Sequence, residues 1–464
     1  MTKKTDGEQL YEKLGYSFKH IAKASHEDIE QAEQFSKGYK AFLDAGKTER
    51  ECVNYTEKLV KENGYTEFDK NAHYKEFDKV YYNNRGKNIV LITFGKRPLA
   101  DGVKFNIAHI DSPRLDLKPN PLYEQDELAY FKTHYYGGIK KYQWGTIPLS
   151  MHGVVILKDG TKVELSVGEK DDDPKFIVSD LLPHLSARQN ERPLKDGLKG
   201  EELNIILGSI PYQDDAVKEP FKLMALSLLN EKYGITEADF MRAEIEMVPS
   251  AKASDIGLDR SLIGAYGQDD RVCAYTALMA ALSVDKPEYT TVTVMTDKEE
   301  IGSEGNTGMA SRMLAHLMED ICDMYGVKAR DVYRKSTCLS SDVNAAYDPT
   351  FPDVFEKQNS SFLNHGPVLT KYTGSRGKGG SNDASAETMA KVIKYMDDDN
   401  VIWQIGELGK VDEGGGGTIA LFMGDMDVDT VDLGVPVLAM HSPFEVTSKL
   451  DVYYTYKAFM AFYK

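Results

Sequence analysis

The sequence predicts an α/β fold: a mixed sheet with helices on both faces, interrupted by an inserted, mainly β segment. Beyond residue 269, strand-like and helix-like segments alternate, which is typical of a sheet covered on both faces. Residues 114–250 break that alternation with short strands, aromatic and glycine-rich stretches and polar loops. The 464 residues suffice for more than one domain. We therefore assign residues 1–113 and 251–464 to one discontinuous domain and residues 114–250 to a domain inserted into it.

The N-terminal region predicts two helices followed by two strands. Apolar residues recur at helical spacing within residues 26–64. The apolar, β-branched segments 88–95 and 103–109 predict strands separated by a Pro/Gly turn. A proline soon after the second strand prevents its continuation, so His109 and Asp111 are expected at a strand's carboxyl end, where open α/β sheets hold their sites.

The remaining elements follow from local pattern. Segments 151–157 and 161–167, joined by Lys-Asp-Gly, predict a β-hairpin in the inserted segment. Beyond residue 250 we predict helices over 269–282, 308–325, 383–396 and from about 446, and strands over 290–295, 332–340, 417–423 and 435–440.

Composition excludes several partners. The net charge of −17 opposes binding to nucleic-acid backbones and anionic membranes. No apolar run approaches the roughly 20 residues of a membrane span. The N-terminus has no apolar signal-peptide core, and the four cysteines show no paired metal-binding spacing. We therefore expect a cytoplasmic protein with reduced thiols, which binds neither nucleic acid nor membrane.

A pair of adjacent carboxylates, Glu299 and Glu300, follows the predicted strand 290–295. Neighbouring carboxylates repel each other, and in a buried setting they require a compensating positive charge. A metal ion bound to one of them, with proton transfer by the other, would provide it. The alternative is a solvated pair in an exposed loop.

Further histidines and carboxylates occupy similar positions after strands or at a helix start. Each has a simpler explanation: a helix cap, an Asx turn or a buried histidine. Together they form a ligand set suited to two zinc-like ions, with one carboxylate bridging the ions and a spare carboxylate acting as a base. The five sites that supply the five ligands and the spare glutamate are His109 with Asp111, Asp269 with Asp270, Glu299 with Glu300, Asp342, and His441.

Four motifs carry a family resemblance over nearly the whole chain. They are His-Ile-Asp-Ser-Pro-Arg-Leu-Asp at 109–116, Tyr-Gly-Gly at 136–138, Ser-Ser-Asp-Val at 340–343 and Leu-Ala-Met-His-Ser at 438–442. With them the chain resembles the M18 metallo-aminopeptidases (the aspartyl aminopeptidase family), in the bacterial branch. The resemblance implies a zinc-peptidase/phosphorylase-like catalytic domain with an inserted dimerisation domain. It also implies two divalent ions per subunit, zinc with cobalt or manganese as substitutes, and peptide substrates with a preference for acidic (Asp/Glu) N-termini.

The resemblance also implies a role for each matched residue. Glu299 is the general base, Asp111 orients and polarises His109, and Asp270 is not a ligand. The implied metal ligands are His109, Asp269 (bridging both ions), Glu300, Asp342 and His441.

Four further residues are candidates for binding substrate. Lys371 and Arg376 are cations that an acidic N-terminal side chain would need. Gly416 belongs to a glycine run that resembles a pocket-lining loop, although such a run is also typical of a flexible turn. His184 corresponds to a histidine that family members contribute to a neighbouring subunit's pocket, while an exposed loop histidine remains the alternative.

The inserted segment is expected to mediate self-association. Its aromatic residues exceed what a solvent-facing lid needs, and a two-fold contact would bury them. The resemblance extends this to a dimer-based homo-oligomer, a dodecamer with enclosed active sites. The aromatic residues are Tyr123, Tyr130, Phe131, Tyr135, Tyr136, Tyr142 and Trp144.

Two other functions remain open for this chain: another metal-dependent amidohydrolase (deacylase or carboxypeptidase), and a non-catalytic scaffold of the same fold.

Overall fold

A computed structural model describes residues 4–20 and 24–464. Four consecutive strands of its largest, nine-stranded sheet run parallel: β14 (Thr291–Thr296), β4 (Lys104–His109), β15 (Thr337–Ser340) and β21 (Asp429–Gly434). The sheet is mixed, because β3 (Asn88–Thr93) is antiparallel to β14 and β17 (Val368–Thr370) is antiparallel to β21. In spatial order the strands are β1 (Thr66–Glu67), β2 (Lys79–Asn84), β3 (Asn88–Thr93), β14 (Thr291–Thr296), β4 (Lys104–His109), β15 (Thr337–Ser340), β21 (Asp429–Gly434), β17 (Val368–Thr370) and β19 (Gln404–Ile405).

Alternating side chains of this sheet enter two separate cores. In β3, Ile89 and Leu91 join one core, whereas Val90 and Ile92 join the other, because successive strand residues face opposite sides. Helices supply the other half of both cores, which confirms the predicted α/β class. The helices are α1 (Asp6–Leu14), α2 (His26–Ala45), α3 (Glu49–Glu62), α4 (Ala187–Asn190), α5 (Pro220–Tyr233), α6 (Gln268–Ser283), α7 (Met313–Met324), α8 (Ala329–Tyr333), α9 (Ala386–Asp398), α10 (Ala420–Gly424) and α11 (Lys449–Tyr463).

A second, seven-stranded sheet is built entirely from residues 114–249 and encloses a third core. The predicted hairpin is present, because its two strands, β7 (Leu149–Ile156) and β8 (Lys162–Val167), pair antiparallel. In spatial order this sheet contains β8 (Lys162–Val167), β7 (Leu149–Ile156), β11 (Ala243–Pro249), β5 (Arg114–Gln125), β6 (Leu128–Tyr136), β10 (Ile205–Gly208) and β9 (Ile177–Val178).

Several of these aromatic residues are already buried within the single chain, so the expectation that a two-fold contact buries all of them was wrong. Phe131 and Trp144 are fully buried within the single chain, and Tyr136 is 9% exposed. Tyr135 and Tyr142 are exposed. Of the seven aromatic residues, Phe131 and Trp144 belong to the third core, whereas the five tyrosines lie outside it.

A five-stranded sheet connects the two larger ones to the C-terminal helix. It pairs segments that lie far apart in the chain, since β13 and β23 run antiparallel across residues 262–265 and 445–448. A two-stranded ribbon, β18 (Gly374–Ser375) with β20 (Gly415–Gly416), stands apart from it. The five-stranded order is β12 (Ser254–Ile256), β13 (Leu262–Ala265), β23 (Glu445–Ser448), β22 (Pro436–Leu438) and β16 (Asn344–Ala345).

Two predicted strands differ from the structure. Within residues 417–423 the structure has the helical segment α10 instead of a strand, and Met423 of α10 and Ile419, which directly precedes it, pack into the second core. The predicted strand 332–340 is shortened to β15, because α8 occupies its beginning. Among the described residues, no helix is long and apolar enough to cross a membrane.

Candidate metal centre

Three predicted site segments meet at one edge of the nine-stranded sheet. Strand β4 ends at His109, and its parallel neighbours β14 and β15 end beside it. Glu299 and Glu300 lie in the tight turn that follows β14, and Asp342 follows β15. These side chains meet because the carboxyl ends of parallel strands lie at the same edge.

The remaining two residues, Asp269 and His441, follow strands of the five-stranded sheet. Asp269 stands at the start of α6, shortly after β13, and His441 follows β22 in a left-handed backbone conformation with φ of 64°. Glu445, at the start of β23, joins the two. Its carboxylate accepts the backbone N–H of Asp269 at 3.0 Å and that of His441 at 2.7 Å.

Asp269 lies between the two histidines. Its Oδ1 is 3.2 Å from Nε2 of His109, and its Oδ2 is 3.2 Å from Nε2 of His441. Asp342 Oδ1 and Glu299 Oε2 lie 3.9 and 3.8 Å from the His109 nitrogen. Glu300 Oε1 lies 3.5 Å from the His441 nitrogen. Each histidine therefore faces one oxygen of the shared carboxylate and at least one further carboxylate.

Both imidazoles are oriented by backbone carbonyls. His109 Nδ1 lies 3.0 Å from the carbonyl oxygen of Asp111, and His441 Nδ1 lies 2.8 Å from that of Gly138. A carbonyl only accepts hydrogen bonds, so each Nδ1 carries a hydrogen, and in the neutral ring Nε2 presents a lone pair to the carboxylates. Buried Glu300 Oε1 has no hydrogen-bond partner among the described residues. Lone pairs facing carboxylates across a buried gap fit a divalent cation between them.

The electrostatics support the same conclusion. Burial, followed by repulsion from neighbouring carboxylates, raises the pKa of Asp342 and of Glu300 well above the ordinary value. Burial raises the pKa of Glu299 to about 7. Burial opposes the charged form of His441, but Asp269 and Glu300 outweigh it and raise the pKa of His441 to about 11. So much negative charge in a buried site calls for a positive counter-charge.

Within residues 4–20 and 24–464, two groups of donors could hold a metal ion. The first contains His109, Asp269 and Glu300, and the second contains His109, Asp270 and Asp342; within each group the ligand atoms lie within 4.8 Å of one another. The peptide bond between Asp269 and Asp270 is cis. The Asp270 carboxylate also accepts the backbone N–H of His109 at 3.3 Å.

Asp111 and two residues that the sequence did not assign to the metal site, Tyr136 and Glu445, support the centre. The Asp111 carboxylate accepts the backbone N–H of Glu299 and of Glu300, each at 3.2 Å, and the hydroxyl of Tyr136 at 2.8 Å. Tyr136 belongs to the Tyr-Gly-Gly motif, whose function the sequence did not reveal. Glu445 was missed altogether, although a carboxylate four residues after His441, in His-Ser-Pro-Phe-Glu, was the available signal.

A cavity of about 230 Å³ opens beside the centre. Asp269, Glu299, Asp342 and His441 line it, together with the predicted substrate-binding residue Gly416.

The other three substrate-binding candidates lie elsewhere. Lys371 forms an ion pair with Asp383 in its own loop. Arg376 lines a second, adjoining cavity. His184 lies in the short exposed turn Pro183–Leu185.

Comparison with known proteins identifies the family. Residues 42–463 match the model of the family described as Aminopeptidase I zinc metalloprotease (M18). A probable M18 family aminopeptidase 1 of Clostridium acetobutylicum is 48% identical, covering 94% of this chain and 96% of that protein. The corresponding protein of Thermotoga maritima is 46% identical over the same shares.

Solved structures agree with this assignment. The Thermotoga maritima M18 aminopeptidase superposes with a TM-score of 0.93 at 45% identity, covering 97% of this chain and 99% of that one. The yeast mApe1 dodecamer, at 20% identity and a TM-score of 0.76, covers 94% and 97% and shares the fold. The chain thus belongs to the M18 family of zinc metallo-aminopeptidases.

Proposed function

We propose that this chain uses two divalent metal ions, with zinc as the first choice, to remove single N-terminal residues from peptides. The observation that carries the proposal is the position of Asp269, which turns one carboxylate oxygen to each histidine. A two-metal centre needs such a bridging carboxylate with separate ligands on either side. His109 and Asp342 would hold one ion, and His441 and Glu300 the other. Imidazole and carboxylate donors suit zinc and also accept cobalt or manganese.

The chain's own residues have separate tasks in hydrolysis. Divalent ions would supply Lewis-acid polarisation of a water molecule and of the scissile carbonyl. Glu299 lies 3.8 Å from His109 and lines the cavity, so its carboxylate can take a proton from the attacking water and return it to the leaving amine. Asp111 keeps the His109 imidazole and the Glu299–Glu300 turn in position.

The preference for acidic N-terminal residues stays a prediction. It needs a cation near the first substrate side chain, and Lys371 already pairs with Asp383. Arg376 would have to be reached through the adjoining cavity, which shares Thr373 and Gly415 with the cavity beside the centre. Higher kcat/KM for Glu and Asp substrates than for Leu would support the preference, and Leu exceeding both acids would contradict it.

We also propose that residues 114–250 act as a dimerisation domain within a dodecamer. Support comes from large apolar side chains that this segment leaves exposed, including Leu182, Leu185, Leu194 and Ile210 at 50 to 69%. The yeast relative of the same fold is a dodecamer. His184 lies between two of these leucines, so an interface there would bring it to a neighbouring subunit. Light scattering that gave a monomer mass for an active preparation would contradict the assembly.

The central test is hydrolysis of aminoacyl p-nitroanilides carrying Glu, Asp, Leu or Ala. We expect turnover that a chelator abolishes and zinc restores. N-acetylated versions of the same substrates serve as the matched control and should resist cleavage, since an aminopeptidase needs a free N-terminus. Cleavage of the acetylated substrates would favour a different amidohydrolase. No turnover after loading with zinc, cobalt or manganese would favour a scaffold.

A further inference from the structure

We infer that the Tyr136–Gly138 segment, which ends strand β6 of the seven-stranded sheet, is a positioning element for the metal centre. Three consecutive residues of this segment each contact a different group of the site. The inference rests on the proposed two-metal function. It assigns to the sheet built from residues 114–249 a direct part in the geometry of the centre.

The first contact orients Asp111. The Tyr136 hydroxyl donates to Asp111 Oδ2 at 2.8 Å, while Asp111 Oδ1 lies 3.2 Å from His109 Nδ1. The tyrosine ring is itself held, because the Arg114 guanidinium lies 3.9 Å from its centroid. Arg114 in turn pairs with Glu246 at 3.2 Å. The hydroxyl therefore approaches Asp111 from a fixed direction, which limits how the carboxylate can rotate.

The second contact restricts Glu300. Gly137 has φ of 74°, and a Cβ added to it would lie 3.1 Å from Glu300 Oε2 and 3.3 Å from Glu300 Cβ. The backbone can approach this closely only because glycine lacks a side chain and tolerates a positive φ. The Glu300 carboxylate thus has backbone packed against one side and His441 on another.

The third contact sets the tautomer of His441. The Gly138 carbonyl oxygen lies 2.8 Å from His441 Nδ1, so Nε2 remains the nitrogen that faces Asp269 and Glu300. Partners that fix a ligand's tautomer and direction typically change metal affinity or activity by about 10- to 100-fold when they are removed. The first contact acts on His109 through Asp111, and the other two act on Glu300 and His441. Displacement of this segment would therefore disturb the surroundings of both histidines.

Two substitutions test the inference, each with a matched control. Tyr136→Phe removes the hydroxyl, and Tyr135→Phe makes the same change at the neighbouring exposed position. Gly137→Ala adds a methyl group against Glu300. Gly160→Ala matches the positive φ, at 89°, but finds open space around the new Cβ. The controls therefore carry the same chemical change or backbone strain without touching the site.

Metal affinity is measured by competition with a chelator, and the cobalt-loaded protein is compared by its visible absorption spectrum. We expect Tyr136→Phe and Gly137→Ala to bind metal about 10- to 100-fold more weakly than their controls, with altered cobalt spectra. We also expect a lower kcat at nearly unchanged KM. If Gly137→Ala does not fold, Tyr136→Phe alone decides, because it removes a single hydroxyl. Affinities and spectra equal to those of the controls would overturn the inference.

The outcome for the unsubstituted protein separates the two proposals. If it takes up no metal and hydrolyses no substrate, the proposed function fails and this inference fails with it. If it does both while all four variants behave alike, only the role of the Tyr136–Gly138 segment is refuted.

Discussion

Asp269 lies between two groups of candidate ligands, the His109 flank (His109 and Asp342) and the His441 flank (His441 and Glu300), which contain similar residues but are supported differently. His109 is 1% exposed and ends a strand that lies between two parallel neighbours. The side chain of His441 is 35% exposed and belongs to a loop with φ of 64°. Its position depends on the Gly138 carbonyl and on Glu445, contributed by distant parts of the chain. Strand pairing fixes the backbone of His109, whereas long-range contacts alone fix that of His441, so in the proposed two-metal centre we expect the His441 flank to release its ion more readily.

Removing the shared carboxylate should have the largest effect. Asp269→Asn keeps the shape of the side chain but takes the charge from both flanks at once. We expect kcat/KM to fall by about 1000-fold or more, since Lewis-acid stabilisation is worth several kcal/mol. Metal content should fall at both flanks. Asp353→Asn, at an exposed position, is the control; near-wild-type metal content in Asp269→Asn would refute the bridging role.

The neighbouring glutamates should separate chemistry from metal retention. Glu299→Gln should keep both ions while kcat falls on the order of 100-fold or more, the scale of general-base loss. Glu300→Gln should instead lose metal from the His441 flank. Metal analysis alongside steady-state kinetics distinguishes the two variants. The opposite pattern would reverse the assigned roles.

The difference between the flanks should appear as stepwise metal release. Under increasing chelator, we expect about one ion per subunit to leave first, from the His441 flank. His441→Ala should therefore retain about one ion per subunit. His109→Ala should retain less, because Asp269 would lose its buried partner. Simultaneous loss of both ions at every chelator concentration would remove the distinction between the flanks.

The smallest effect on the metal centre is expected from the ion pair behind Tyr136, in which Arg114 lies 3.4 Å from Glu49. Burial opposes ionisation of Glu49, but Arg114 and Lys87 outweigh it and lower the pKa of Glu49 to about 2. Ionised Glu49 thus stabilises the fold above pH 4.5, its ordinary pKa, and that contribution is lost as the pH falls towards 2. Glu49→Gln should lower the free energy of unfolding by about 3 kcal/mol at pH 7.

Denaturant unfolding of both proteins across this pH range provides the measurement. The stability difference between the parent protein and Glu49→Gln should shrink below pH 4.5 and should be the same with and without zinc. A zinc-dependent difference would mean that Glu49 acts through the metal centre instead.

Local patterns were sufficient for much of the fold. The helices His26–Ala45 and Glu49–Glu62 match the predicted helical region 26–64, because helical periodicity is a property of neighbouring residues. The same patterns failed for 417–423, where a short apolar run fits a buried helix as well as a strand. In the structure this run is helical, and its apolar residues Ile419 and Met423 pack against the second core.

For the metal site, too, some features could be predicted from local sequence and others depended on tertiary packing. Residue type and position after strands were enough to nominate His109, Asp269, Glu299 and the rest of the candidate set, since a helix cap, an Asx turn or a buried histidine explains each residue alone but not all of them together. Which carboxylate faces which histidine depended on packing. So did the support from Tyr136, Gly138 and Glu445, since the Gly138 carbonyl meets His441 across 303 positions of sequence. Periodicity reports only on near neighbours, and contacts between distant segments arise when two sheets and their connecting loops pack together.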